Sequence, residues 1–365
     1  MQMNEIIVTY GDNPEQMAFQ LLEKANLASM IPSKDASIIL KPNLVVPVTP
    51  EGGGTTHPAI VIATIEYLQN NGFSNITIAE SAWVGASTEE GFAVNGYPEI
   101  SRKYHVPLVD VKQETYEKRE SHGITMELSK TILDCDFLIS LPVLKGHCQM
   151  AMTCALKNMK GTLSDRSKRM FHALGLVKPI AALNVVKHAD FILVDSLNGD
   201  LDFEEGGNPV KTDRMFACTD SVLCDSYGTS LMGFTLNEVP YIKIAESYGV
   251  GSSDLRKATI TTLSSPKTTS NAHPAGLARF LSQHTLPKEA CSACYGNLIH
   301  ALKRLDEAGE LDQLKKKICI GQGYKRDTDP KETGVGSCTR GLGCSLTGCP
   351  PSARDMVDFL KEQLQ

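Results

Sequence analysis

The feature that most constrains this chain is an alternation running through its first two thirds: short β-branched segments that end in polar residues, each followed by a helical pattern. Glu5 to Tyr10 reads as a strand, and Asp12-Asn13-Pro14 then supplies a cap and a first-turn proline for an amphipathic helix through Leu27. Ser37 to Lys41 is the next strand. After a loop containing Gly52-Gly53-Gly54, His57-Pro58 opens a helix that reaches Asn70 and stops at Asn71-Gly72. Ile76 to Glu80 returns as a strand, and Pro107 to Val111, Ile124 to Leu128, Phe137 to Leu141, Phe191 to Asp195, Met215 to Thr219 and Ala258 to Leu263 continue the series. Such alternation buries both faces of a sheet only when the strands run mostly parallel with helices on either side, so the expected fold class is α/β.

At 365 residues the chain is roughly two to three times the length of a common domain, which leaves room for an appendage. Thr261 to His273, rich in Ser, Thr and Pro, reads as a linker between an α/β domain over 1–265 and a second module over 275–365. Leu298 to Leu314 there has helical periodicity, Ile318 to Ile320 is short and strand-like, Gly321 to Gly348 is glycine-rich loop, and a last helix is expected from Pro350-Pro351 to Leu364. The module is therefore read as helices and loop, and no internal repeat is evident. A formal charge of −6 disfavours nucleic acid and anionic membrane as partners. The start, Met1 to Tyr10, has neither the basic region nor the long apolar run of a signal peptide, so no export is expected. The longest apolar run, Pro58 to Ile65, is far short of the ~20 residues that span a bilayer, and a cytoplasmic protein is expected. Nothing in the sequence speaks to its oligomeric state.

Of eleven cysteines, six (Cys291, Cys294, Cys319, Cys338, Cys344 and Cys349) fall in the last 75 residues. Cys291-Ser292-Ala293-Cys294 places two thiolates on one tight turn. Cys338, Cys344 and Cys349-Pro350-Pro351 follow on glycine-rich backbone and are able to close a four-thiolate shell. A proline after the last cysteine recurs in iron–sulfur loops, so a [4Fe–4S] cluster is the favoured cofactor, with Cys291, Cys294, Cys349 and, in preference to Cys344, Cys338 as ligands. Structural zinc is an alternative, although the second group is spaced by five and four residues rather than as a tight pair. A redox CxxC, or thiols serving as small hydrophobes, is another. Cys319, Cys135, Cys148, Cys154, Cys218 and Cys224 sit among apolar neighbours and read as buried residues.

A second constellation belongs to the α/β part. The strand at Phe137 to Leu141 runs into Pro142-Val143-Leu144-Lys145-Gly146-His147, and the next helix leads to Lys157, Lys160 and Gly161. Ligands of open parallel sheets bind beyond the carboxyl ends of the strands, where Lys145 and His147 would stand, and an anion is the natural guest. Lys157 and Lys160 equally fit a helix's last turn, where cations complement its dipole. Lys168 and His172 share a face if Asp165 to Gly175 is helical. Lys41-Pro42-Asn43, Ala79-Glu80-Ser81 and Asp195-Ser196 also end strands, which together describes one crevice. The loop Gly52 to Gly54 offers amides to a phosphate but lacks the lysine and hydroxyl of a P-loop.

The runs KPN (41–43), TTHP (55–58), AES (79–81), LPVLKGH (141–147), ALKNMKG (155–161) and VDS (194–196) resemble the uncharacterised domain-of-unknown-function family numbered 362, several of whose members carry iron–sulfur cysteines. The resemblance covers roughly residues 35 to 235 and implies an α/β domain, often beside a [4Fe–4S] module. It carries Lys41, Asn43, Glu80, Lys145, His147, Lys157, Asn158, Lys160, His172, Asp195 and Asp225 as site positions. A ferredoxin-like insert of that family would show CxxCxxCxxxCP, whereas this tail has one CxxC and a looser trio, which suits a different module with a single cluster.

The leading expectation is an iron–sulfur redox protein that passes single electrons to a carboxylate or phosphate ligand in the crevice. Lys145, Lys157 and Lys160 would hold the ligand, His147 or His172 would act as the acid, and a redox partner protein would exchange the electrons. A non-enzymatic electron carrier or a maturation accessory for another metalloenzyme is the runner-up. A ligase, transferase or isomerase with a structural cluster is the third reading.

Overall fold

The computed structural model describes residues 1–266 and 276–364; the linker read at Thr261 to His273 lies outside these from residue 267 onward, as does Ala275. The main sheet takes its strands in chain order from β1 (Glu5–Tyr10), β2 (Ile38–Pro42), β3 (Ile76–Glu80) and β4 (Leu108–Asp110). A separate hairpin follows, β5 (Tyr116–Ser121) with β6 (Ile124–Ser129). Next come the sheet strand β7 (Phe137–Leu141) and a short ribbon of β8 (Lys145–His147) and β9 (Ala151–Thr153). The sheet is completed by β10 (Phe191–Ser196), β11 (Arg214–Cys218) and β12 (Thr259–Thr262), in the spatial order β12-β1-β11-β10-β7-β2-β3-β4. Every neighbouring pair is parallel except the two made by β11.

The alternation of side chains explains why this sheet is covered on both faces. Ile38 and Leu40 of β2 enter one core while Ile39 enters the other; Phe137, Ile139 and Leu141 of β7 oppose Leu138 in the same way. The helix Pro58–Asn70 returns β2 to β3 on one side. On the other side β7 leads, through the ribbon and three further helices, to β10. Connections therefore leave β2 and β7 in opposite directions, and the gap between their carboxyl ends is the topological switch point, where α/β sheets bind ligands.

Two segments depart from the sequence expectation. The strand at Ile124 pairs along its length with the highly charged β5 and stands outside the main sheet. No helix follows β7 directly: Lys145 and His147 belong to the β8–β9 ribbon, and the helix Ala155–Asn158 comes after it.

The cysteine-bearing end contains a sheet as well as helices and loop. Four three-residue strands, β13 (Thr285–Pro287), β14 (Ile318–Ile320), β15 (Thr333–Val335) and β16 (Cys344–Leu346), pair in parallel in that order. The helices Ser292–Glu307 and Ala353–Lys361 pack on it through Leu298, Leu302, Leu305, Met356 and Leu360, and Phe203 from the α/β part joins this core. The last helix starts at Ala353, capped by Ser352, rather than at the proline pair, whereas the first begins immediately after Cys291. Among the described residues no helix is long and apolar enough to cross a membrane.

Candidate functional site

The strand ends at the switch point carry the residues singled out from the sequence. From β2, Lys41 is fully buried and donates to Glu80 Oε2 at 2.8 Å and to Asn158 Oδ1 at 3.3 Å; Glu80 ends β3. Asn43 donates from Nδ2 to the same Asn158 oxygen at 3.0 Å, and its own Oδ1 accepts from Lys145 Nζ at 2.6 Å. The turn holding Asn158 and Lys160 lies so close over the Lys41–Glu80 pair that a Cβ on Gly161 would sit 1.9 Å from Glu80 Oε1, which explains the glycine. Thr56, in the segment before the helix Pro58–Asn70, ties β2 to β7 by accepting from Asn43 N at 2.8 Å and donating to Leu141 O at 2.6 Å.

This network forms the floor of a small crevice of about 60 Å³, room for a few waters or one small anion. Its walls include Glu80, Ser81, Lys157, Lys160, Lys168, His172, Glu204 and Ser292. Lys41, Lys145 and His147 stand one layer behind. Burial lowers the Lys145 ammonium to about 8, and its protons are spent on Asn43 and the Gly54 carbonyl at 2.5 Å. The Gly52 to Gly54 loop thus contributes a carbonyl to a lysine rather than amides to a phosphate. His147 is committed at both nitrogens: Nδ1 accepts from the amides of Gln149 (3.0 Å) and Met150 (3.1 Å), so Nε2 carries the proton toward Glu204 Oε2 at 3.0 Å. Burial lowers its pKa to about 4 and leaves it neutral.

Three lysines face the crevice. Lys157 pairs tightly with Glu204. Lys168, on the helix Asp165–Ala173, donates to Ser81 Oγ (2.6 Å) and Ala82 O (2.7 Å) and is lowered to about 8, by burial first. Lys160, only partly buried, reaches His172 Nε2 at 3.2 Å; desolvation and the neighbouring Lys157 bring it down to about 7. His172, pushed well below its ordinary value by burial and Lys160, lies 3.4 Å from Ser292 Oγ, and its Nδ1 is buried without a hydrogen-bond partner. Asp195 and Asp225 do not line the crevice. Asp195 accepts from the His57 and Leu197 amides and anchors the start of the helix Pro58–Asn70; Asp225 accepts from the Ala155 and Leu156 amides. Burial raises Asp225 to about 7, and it forms a compact buried group with Cys154 and Cys224.

Cys291, Cys294, Cys338 and Cys349 line a neighbouring cavity of about 360 Å³, and each hangs beyond the carboxyl end of a strand of the small sheet: β13 for the first two, β15 and β16 for the others. Cys291 is the N-cap of the helix Ser292–Glu307 and Cys294 lies in its first turn, so free helix amides surround the CxxC. Cys344 lies within β16, among the residues packed on the module's core, and does not line the cavity. Cys319 is buried in β14. Burial, with repulsion from the other three thiols, raises Cys294 to about 12. Gly336, at φ 92°, makes the turn into Cys338, and a Cβ there would stand 3.0 Å from Cys294 Sγ.

The spacing of the sulfurs bears on what they are able to hold. One tetrahedral zinc with bonds of about 2.3 Å draws its sulfurs to about 3.8 Å from one another. Among the described residues no three of these four fall within 4.8 Å of one another, so they are not gathered as tightly as one tetrahedral ion would draw them. Glu204 and Ser292 were not legible as site residues. Glu204 sits in an ordinary-looking acidic loop, Asp202-Phe203-Glu204-Glu205, and Ser292 is hidden inside the CxxC; the only sequence signal is that one follows a strand end and the other separates two thiols.

A lysine-lined crevice at the switch point of a mostly parallel α/β sheet, set against a cavity lined by four cysteines, defines an α/β protein with a cysteine-bearing appendage. The chain belongs to the family described as Domain of unknown function (DUF362), whose model matches residues 38–230. It is similar to the thylakoid-associated protein sll1697 of Synechocystis sp. (strain ATCC 27184 / PCC 6803 / Kazusa), at 30% identity over 136 residues, which are 37% of this chain and 41% of that protein. The chain thus matches less than half the length of that relative. Among solved structures, the lactate racemase apoprotein from Thermoanaerobacterium thermosaccharolyticum matches 62% of this chain and 56% of its own at a TM-score of 0.43 and 16% identity. A protein from Thermotoga maritima matches 55% and 54% at 0.37 and 14%.

Proposed function

We propose that this is a cytoplasmic iron–sulfur redox protein in which Cys291, Cys294, Cys338 and Cys349 hold a [4Fe–4S] cluster and the adjoining crevice holds a small carboxylate or phosphate ligand. The observation that carries this reading is a shared wall: Cys291, Ala293 and Val84 line both the cysteine cavity and the lysine crevice. A cluster bound there supplies electrons one at a time beside the ligand. Lys157, Lys160 and Lys168 orient the anion, and Lys41, Lys145, Asn43 and Asn158 fix the floor beneath it. Glu204, itself held by the neutral His147, keeps Lys157 in place. Lys160, lowered to about 7, suits proton transfer near neutral pH better than either histidine, whose imidazoles burial keeps uncharged. Eleven cysteines, all free, suit the reducing cytoplasm.

The test is anaerobic purification with iron, sulfide and zinc analysis, then electron paramagnetic resonance before and after dithionite. Four irons and four sulfides per chain with a reducible signal are expected. One zinc without sulfide would overturn the reading. Lys160→Met and Lys168→Met are expected to lose anion binding and to keep the cluster spectrum; loss of the cluster in both would overturn the division of labour between crevice and cluster.

A further inference from the structure

We propose that the mouth of the cysteine cavity is a docking face for an acidic one-electron carrier protein. The inference rests on the cluster reading above and names the class of protein that would deliver or collect its electrons. The chain carries a formal charge of −6, yet three cations, Arg169, Lys325 and Arg340, gather where the cavity opens. All three are exposed, and among the described residues none of them forms an ion pair.

Their convergence is built by the fold. Arg169 comes from the helix Asp165–Ala173, which turns Lys168 and His172 to the crevice and Arg169 to the cavity. Lys325 follows the 3₁₀ turn after β14, and Arg340 follows the turn that carries Cys338 after β15. Gln322 clamps the first of these to the thiols, since its Nε2 donates to Arg169 O at 3.1 Å and lies 3.7 Å from Cys291 Sγ.

Between the cations the cavity wall is apolar, with Val84, Val335 and Pro350, and Cys349 is the one of the four cysteines that is exposed. An apolar centre, a charged rim and an exposed ligand thiol together form a contact surface at the point where the path to solvent is shortest. None of the three cations lines the crevice, so binding of the small ligand leaves them free. A cluster of three cations without ion pairs on an acidic chain attracts a small acidic carrier more strongly than the remaining surface does. Steering of this kind raises association rates about 10- to 1,000-fold and fades with salt.

The experiment uses the cluster-loaded full chain and follows its reduction by stopped flow, with two reductants. One is a reduced, acidic bacterial ferredoxin; the other is the methyl viologen radical cation. The wild type is expected to lose its rate with ferredoxin as salt rises from about 20 to about 500 mM, where the Debye length shrinks from roughly 20 Å to below 5 Å. The triple variant Arg169→Glu, Lys325→Glu, Arg340→Glu is expected to react with ferredoxin at least about tenfold more slowly at low salt and to lose the salt slope. Its rate with the viologen cation should hold or rise, and Arg169→Lys with Arg340→Lys should stay near wild type. An unchanged ferredoxin rate and salt slope in the triple variant would sink the proposal. So would an equal fall with both reductants, which would assign the cations to tuning the cluster alone. Salt-sensitive capture by anionic phosphatidylglycerol vesicles, with no effect on the ferredoxin rate, would assign the face to a membrane instead. A wild type without iron and sulfide is the failure of the parent reading and is visible before any rate is measured.

Discussion

Glu204 is the residue whose removal tests the electrostatic logic of the crevice most directly. It is 7% exposed, pairs with Lys157 through Oε1 and accepts from His147 Nε2 at 3.0 Å through Oε2. Burial alone would raise its carboxyl, but Lys157 overrides this and holds it well below 4.5. Glu204→Gln keeps the shape and an acceptor for His147 while leaving the Lys157 ammonium buried without a counter-charge. Removing one partner of a buried ion pair costs about 3–5 kcal/mol, and that is the expected loss at pH 7. Lys157→Met added to it removes the stranded charge, so the double variant should recover most of the loss and give a coupling energy of at least about 2 kcal/mol. Urea unfolding followed by circular dichroism reads this from the midpoint at constant slope. The pH dependence gives a second check. A carboxylate with a depressed native pKa contributes stability that is fully present above about 4.5 and is lost as pH falls through its native value, so the wild type should weaken below pH 4.5 more steeply than Glu204→Gln. A loss below about 1 kcal/mol, or additivity in the double variant, would refute the reasoning.

Three further outcomes are expected. Cys338→Ser should lower the iron and sulfide content of the purified chain, whereas Cys344→Ser, outside the cavity, should keep it near wild type; the reverse order in metal analysis would move the fourth ligand to Cys344. Gly336→Ala, which puts a Cβ 3.0 Å from Cys294 Sγ at a φ of 92°, should cost cluster occupancy more than it costs the secondary structure seen by circular dichroism. Binding of inorganic phosphate should take up a proton above pH 7, because the anion favours the charged form of Lys160, so its affinity should fall by up to about tenfold per pH unit there; calorimetry in buffers of different ionisation enthalpy reads the proton, and none taken up at pH 8 would contradict the assignment.

The main sheet was legible because its strands are buried on both faces: segments such as Ile76–Glu80 and Phe191–Ser196 are apolar enough to stand out from any helix. The hairpin partner Tyr116–Ser121 was not, since Glu-Lys-Arg-Glu on an exposed strand has no apolar face to announce it. The small sheet escaped for a different reason. Of its four strands only Ile318–Ile320 stood out as apolar and β-branched; three-residue strands are too short to show a period of two, and the left-handed glycines Gly321, Gly336 and Gly348 that follow them read as loop. The site was legible as a set of strand ends but not as layers. Lys145 and Lys157 look alike in the sequence, and only the fold turns Lys145 inward to Asn43 and the Gly54 carbonyl while Lys157 meets the crevice. Glu204 lies 47 residues from Lys157 in the chain, with nothing local to mark the pair.

The distribution of charge around the crevice says where a guest would bind. A buried charge is tolerated only when paired or hydrogen-bonded. Lys41 has Glu80, Lys157 has Glu204, Lys168 has Asp165 at 3.6 Å together with two Ser81 and Ala82 acceptors, and Lys145 has an amide oxygen and a carbonyl. Lys160 has only the ring nitrogen of His172, and its pKa falls furthest among Lys145, Lys160 and Lys168. An anion placed there restores the charge that folding has weakened, and gains more than it would beside any lysine already paired. That position adjoins Ser292, the residue after Cys291, so an anion held there would lie against the wall the crevice shares with the cysteines.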